Sequence, residues 1–282
     1  TQSRSSAASD VYKRQGDTAT PPEQPKPETP APTPEPGPDY SVTFKPLGDK
    51  IVADTVTVPE GYVAEVLYSA GDKCVIGSAG YLGVPQSYPA TETQAGGQHD
   101  GMHFYALDGV DPNQGGLLVL NHESLDSSTL DVTVEGVKTR LSNVGVSVVE
   151  IARDKDGKWA VKADSRYNKR YTGNTVYNVS GPAASVVGAT VVGTLNNCAS
   201  GNTPWGTYLT CEENWPGIFV NKGTRPEDQR RIGVGTSSGQ YKWETAAGDS
   251  SEVADEFARF DVTVKGASAT DDYRNEASTY GY

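Results

Sequence analysis

The chain has 282 residues and carries 36 acidic against 24 basic side chains, a formal net charge of −12. That balance excludes a phosphate-backbone partner such as nucleic acid, whose binding rests on basic surface. No run of about 18 apolar residues is present, so the sequence offers no membrane-spanning helix.

An acidic protein that handles phosphate needs bound cations to invert the local charge. The simpler reading is that surplus carboxylate keeps a secreted protein soluble. Thirty-one glycines, 15 tyrosines and a single methionine favour strands and turns over helices. The three cysteines, Cys74, Cys198 and Cys211, cannot all pair within one chain, so at least one is free or a ligand.

Residues 1–15, TQSRSSAASDVYKRQ, show no periodicity, match nothing that follows and resemble a translated sequencing adapter. They are expected to be foreign to the fold, with the true N-terminus and any export signal missing. Residues 20–38 hold nine of the 18 prolines. Such a run lacks backbone donors and is expected to form a disordered, extended tether to a membrane or wall. The expected division is therefore a leader and linker over 1–39 and a folded domain over 40–282.

The segment GGLLVLNHES predicts a buried strand that emerges into a polar loop. In VGVSVVEIARDKDGKWAVKAD, the β-branched run Val146–Ile151, the turn Asp154–Lys158 and Trp159–Lys162 predict a hairpin. ADEFARFDVTV reads as a strand, and Tyr280 and Tyr282 sit two apart as on one strand face. The chain thus ends inside an expected strand, as a truncated domain would. Short strands and frequent glycine turns predict an all-β sandwich or propeller.

Four groupings offer chemistry. In TPWGTYLTCEEN an extended backbone places Leu209, Cys211 and Glu213 on one face and Glu212 on the other. A thiolate among carboxylates suits a metal, because a cation relieves their repulsion. The alternative is a structural cysteine followed by two solvated glutamates. Asn121, His122 and Glu123 follow a buried strand, where sites tend to be built.

All three histidines, His99, His103 and His122, fall within 24 residues. His99 and His103 have the zinc-helix spacing, but Gly101 opposes a helix and the metalloprotease glutamate is replaced by Asp100. A structural histidine in DGMHFYAL is therefore expected. The fourth grouping is Asp271 to Glu276, carboxylates mixed with Arg274 and Asn275. No G-x-S-x-G elbow and no P-loop occur, so hydrolysis would have to run on metals and carboxylates. Trp205, Trp215 and Trp243 read as core or strand-edge aromatics rather than a sugar platform.

DGMHFYAL, GGLLVLNHES, NNCASGNTPWGTYLTCEENW and DYRNEASTYGY resemble, in this order, the PhoX-type alkaline phosphatases. The resemblance spans about Phe44 to Tyr282. It implies a β-propeller-like fold and a secreted or periplasmic phosphomonoesterase, cell-surface or extracellular in placement, acting on small phosphate monoesters. It implies a centre of ferric iron (Fe3+) and calcium (Ca2+), with Cys211 as the iron ligand and Cys198 the alternative. Glu276 is implied as a carboxylate ligand, with Asn121, Glu123, Glu212 and Asp272 as further candidates.

Family members continue past STYGY into a glycine-arginine segment with further arginine and glutamate site residues. The resemblance thus implies an incomplete site, inactive by itself, with its catalytic arginine outside this chain. The competing expectation is a non-catalytic β-propeller binding protein. Convergence of Cys211, Glu276 and Glu123 would separate the two.

Overall fold

A computed structural model describes residues 42–48, 54–124, 132–246, 257–269 and 271–281. The leader, the proline-rich tether and the expected boundary at 39/40 lie outside the described residues. The chain divides into two compact units, Thr1–Ala64 and Glu65–Tyr282. In the first, the described residues carry no regular element, and the Tyr62 hydroxyl donates to the Thr43 carbonyl at 3.0 Å. All the helices and strands described lie in the second.

The second unit is mostly β-sheet with few, short helices. Its main sheet is antiparallel and takes four strands in chain order: β1 (His99–Tyr105), β2 (Gly115–His122), β3 (Gly145–Arg153) and β4 (Trp159–Val161). β3 is long enough to pair β4 along one half and β5 (Lys169–Tyr171) along the other. The predicted buried strand is β2, and the predicted hairpin is β3–β4, closed by the Asp154 carboxylate accepting from the amides of Asp156 and Lys158. Gly145 must be glycine: its φ is +109°, and a Cβ there would meet the Tyr171 carbonyl at 2.1 Å.

Two ribbons complete the strands. β6 (Val176–Asn178) pairs β7 (Thr190–Val192), and β8 (Asn197–Asn202) pairs β9 (Tyr208–Glu212). Between β2 and β3 runs α1 (Val134–Leu141), whose Thr133 cap accepts from the Gly136 amide, with Glu135 in the first turn and Lys138 and Arg140 in the last. α2 (Ala184–Val187) is a single turn and α3 (Glu227–Ile232) is less than two. Among the described residues no helix is long and apolar enough to cross a membrane.

Two apolar clusters hold these elements. One joins Leu120, Val149 and Ile151 to Tyr68 and Cys74. The other packs Val137, Leu141 and Val144 of the α1 region against Trp215, Phe219, Trp243, Phe257, Phe260 and Tyr280. Each fully buried phenylalanine contributes about 1.5–3 kcal/mol. Trp215 and Trp243 are therefore core, as expected, whereas Trp205 stands 79% exposed at the tip of the β8–β9 hairpin.

Two strand expectations are corrected. Phe257 and Ala258 turn helically, and only Asp261 bridges to Val220, because the two phenylalanines turn inward onto one core instead of alternating. Glu276–Thr279 forms a 3-10 turn that sends Tyr280 into the same core; Tyr282 lies outside the described residues.

Candidate metal centre

Three strand segments converge on one polar point. β1 is irregular between His99 and Met102, and Asp100 sits in that irregularity. Glu123 lies one residue past β2, held by its amide donating to the Gln98 carbonyl at 3.0 Å. Cys198 sits in a bulge of β8, where the register with β9 shifts between Asn197 and Ser200. The ligand atoms of Asp100, Glu123 and Cys198 all lie within 4.8 Å of one another, and each residue is half-buried. The Cys198 thiol donates to Asp100 Oδ2 at 3.3 Å.

The electrostatics are those of crowded acids. Hydrogen bonds to the Glu213 and Asp100 carboxylates, then burial and the nearby charges of Asp100 and Glu123, push the Cys198 thiol up to about 12. Burial raises the Glu123 carboxyl, with further upward pushes from Asp100 and Glu213. The Cys198 thiol and the Glu123 carboxyl, both made harder to ionise by the acids around them, are donors that a bound cation would help deprotonate. The donor set fits a metal: thiolate suits a transition metal, and carboxylate oxygens suit a hard cation.

His122, fully buried behind this point, meets Ser147 Oγ through Nε2 at 2.6 Å. Burial and the neighbouring Arg170 guanidinium hold its pKa well below the usual value, so it is neutral. His99 packs edge-on against it with ring centroids 4.8 Å apart. His103 contacts Tyr105 in the same edge-on manner on β1, in keeping with a structural role. H-x-x-x-H lies on a strand, not on a helix.

The other sequence candidates stand elsewhere. On β9, Leu209 and Cys211 are exposed, while Tyr208, Thr210 and Glu212 face inward. The structure thus brings Cys198, not Cys211, to the carboxylates. Glu212 accepts from the Thr194 hydroxyl and the Leu195 amide, both at 2.8 Å, and from the Gly281 amide at 2.7 Å. It fastens the tail to the β8–β9 ribbon.

Glu276 pairs with the buried Arg259 at 3.1 Å, beside Tyr280. Asp272, with 1% of its side chain exposed, grips Arg274 at 2.7 Å and accepts from the Gly266 amide at 3.0 Å. Asn121 is fully buried and spends its amide on protein partners. Of the carboxylates named from sequence, Glu123 joins the cluster.

Sequence reasoning passed over Asp100 as a donor and grouped Glu213 with Cys211, whereas Glu213 hydrogen-bonds the Cys198 thiol. The available signal was that Asp100 and Glu123 each directly follow a histidine; that His99 and His122 are register partners is visible only in the fold.

The model of the PhoX alkaline phosphatase family matches residues 42–282. The chain belongs to the PhoX alkaline phosphatase family. Among solved structures it is similar to Pseudomonas fluorescens PhoX in complex with vanadate, a transition state analogue, at 31% identity and a TM-score of 0.63. That similarity covers 74% of this chain and 37% of the Pseudomonas chain. No curated protein matches the sequence.

Proposed function

We propose that this chain contributes metal-binding strands to a secreted, metal-dependent phosphomonoesterase that hydrolyses small phosphate monoesters at a centre of ferric iron and calcium. The observation that carries this reading is a thiol packed among carboxylates in a chain of the PhoX family. Cys198 is the soft donor for iron, and Asp100, Glu123 and Glu213 offer the hard oxygens for iron and calcium. Bound cations supply the positive charge that draws an anionic ester into an acidic protein and stabilises charge on the phosphoryl oxygens.

This chain's own part is to hold those donors at the ends of paired strands, with the neutral His99–His122 pair packed behind them. The chain-order antiparallel run β1–β4 has the order of a propeller blade and supports the propeller-like fold. The proline-rich residues 20–38 suit a spacer for a periplasmic or cell-surface enzyme.

The test is elemental analysis of purified protein together with turnover of a chromogenic phosphate ester. Iron and calcium are expected to co-purify and to be removed by chelation, and the enzyme to which these strands contribute should lose hydrolysis with them. Folded protein that takes up neither metal under any loading condition would instead mark a non-catalytic binding protein.

A further inference from the structure

Asn121 is 0% exposed, and its amide is spent on both strands of the β8–β9 ribbon. Nδ2 donates to the Cys198 carbonyl at 2.7 Å and to the Ala199 carbonyl at 3.1 Å. Oδ1 accepts from the Thr210 hydroxyl at 2.9 Å and lies 3.0 Å from the Tyr208 hydroxyl. That hydroxyl shares its proton with the Gly101 carbonyl at 2.9 Å. A side-chain amide has two donors and two acceptor lone pairs, so none of its capacity remains for a metal. The pattern also fixes which end is nitrogen: reversed, the oxygen would face two carbonyls.

The carbonyls that Asn121 holds belong to the β8 bulge. A bulge takes its extra residue out of the strand ladder, so its carbonyls need partners from elsewhere. Asn121 supplies them from β2, two residues before Glu123. On the other side β1 runs close: a Cβ on Gly101 would stand 2.7 Å from the Cys198 carbonyl. The Asn121 amide therefore joins β2 to β8, and the Tyr208 hydroxyl between Asn121 and the Gly101 carbonyl ties β1 to the same point.

We infer that Asn121 is a positioning residue of the metal centre: by holding the Cys198–Ala199 bulge it aims the Cys198 thiol at Asp100 and Glu123. The inference rests on the metal-centre reading above. It reassigns Asn121 from candidate ligand to the residue that sets where the soft ligand stands.

The probe is Co2+ titrated into the metal-free protein, read by the near-ultraviolet thiolate-to-cobalt absorption. The variant is Asn121→Asp, which keeps the shape and replaces both donors with an oxygen that repels the two carbonyls. The control is Asn168→Asp. Asn168 is another buried amide, which accepts from the Glu150 amide and donates to the Lys162 carbonyl.

Both variants should melt lower. Only Asn121→Asp should bind Co2+ more weakly, by about 10–100-fold, the scale for losing a residue that orients a ligand, with a shifted thiolate band. If Asn121→Asp does not fold, Tyr208→Phe decides the matter: a weakened band with near-native melting supports the inference, and an unchanged band overturns it. A wild-type band that persists undiminished in Asn121→Asp overturns the positioning role and leaves the metal centre standing. Equal losses in Asn121→Asp and Asn168→Asp also overturn it. A wild-type protein with no thiolate band removes the metal centre and the inference together.

Discussion

The Cys198 thiol and the Asp100 carboxylate meet at 3.3 Å although 98 positions separate them in the chain. Cys211, which stands directly beside two glutamates in sequence, is exposed instead. Serine in place of Cys198 exchanges a thiolate for a hydroxyl that does not ionise. On the metal-centre proposal, Cys198→Ser should lose most of the bound metal, measured by elemental analysis, and the enzyme to which this chain contributes should lose phosphate-ester turnover with it. Cys211→Ser should keep both. The reverse result would return the ligand role to Cys211.

Gly101 sets how closely β1 approaches β8. A methyl group there would stand 2.7 Å from the Cys198 carbonyl and 2.7 Å from the Ser200 side chain. Gly101→Ala should push the Asp100 segment away from Cys198 and lower metal affinity by about tenfold, on the scale of a misplaced ligand. Its circular dichroism should stay native. Metal binding equal to wild type would show that the strands have slack at this point.

Arg259, 6% exposed, is held by Glu276, the Tyr280 hydroxyl and the Val192 carbonyl, and its guanidinium stacks on Phe260. Arg259→Ala would leave the half-buried Glu276 without its cation beside the aromatic cluster. The expected loss is about 3–5 kcal/mol, as for breaking a buried pair from one side. Denaturant midpoints measure it. Arg259→Ala should cost more than Tyr280→Phe, which removes a single hydroxyl worth about 1 kcal/mol.

The Arg274 guanidinium beside Asp272, helped by the backbone amides of Arg274, Gly266 and Lys265, holds the Asp272 carboxyl well below the usual aspartate range. A depressed folded-state pKa stabilises the fold above the unfolded value near 4 and loses that contribution as pH falls further. Asp272→Asn should therefore be less stable than wild type at neutral pH, by about 1–3 kcal/mol for its lost hydrogen bonds. The two proteins should converge in strong acid. Thermal melts across that range test it, and a constant gap down to the lowest pH would contradict it.

Local pattern carried β2, the β3–β4 hairpin and the family, and it singled out the tryptophan–cysteine block that contains Cys198. Alternation along a strand is set by the chain itself, so the opposite faces of Cys211 and Glu212 were legible without a fold. The sequence alone could not show that the face bearing Cys211 is the outer one, or that Glu212 is engaged in fastening the tail. Those depend on which side of the ribbon meets β1 and β2.

The choice between the two cysteines turns on a bulge, a one-residue break in register that no periodicity announces. Asp100 becomes a donor only because His99 pairs with His122 and brings two chain-distant carboxylates together. The tail reads as a strand from its tyrosine spacing, yet Glu276–Thr279 coils because Arg259 and the aromatic core draw Glu276 and Tyr280 inward. The sequence by itself determined the donor chemistry and the family. Long-range strand pairing decided which donors meet, because register and burial are properties of the packed sheets and not of any one segment.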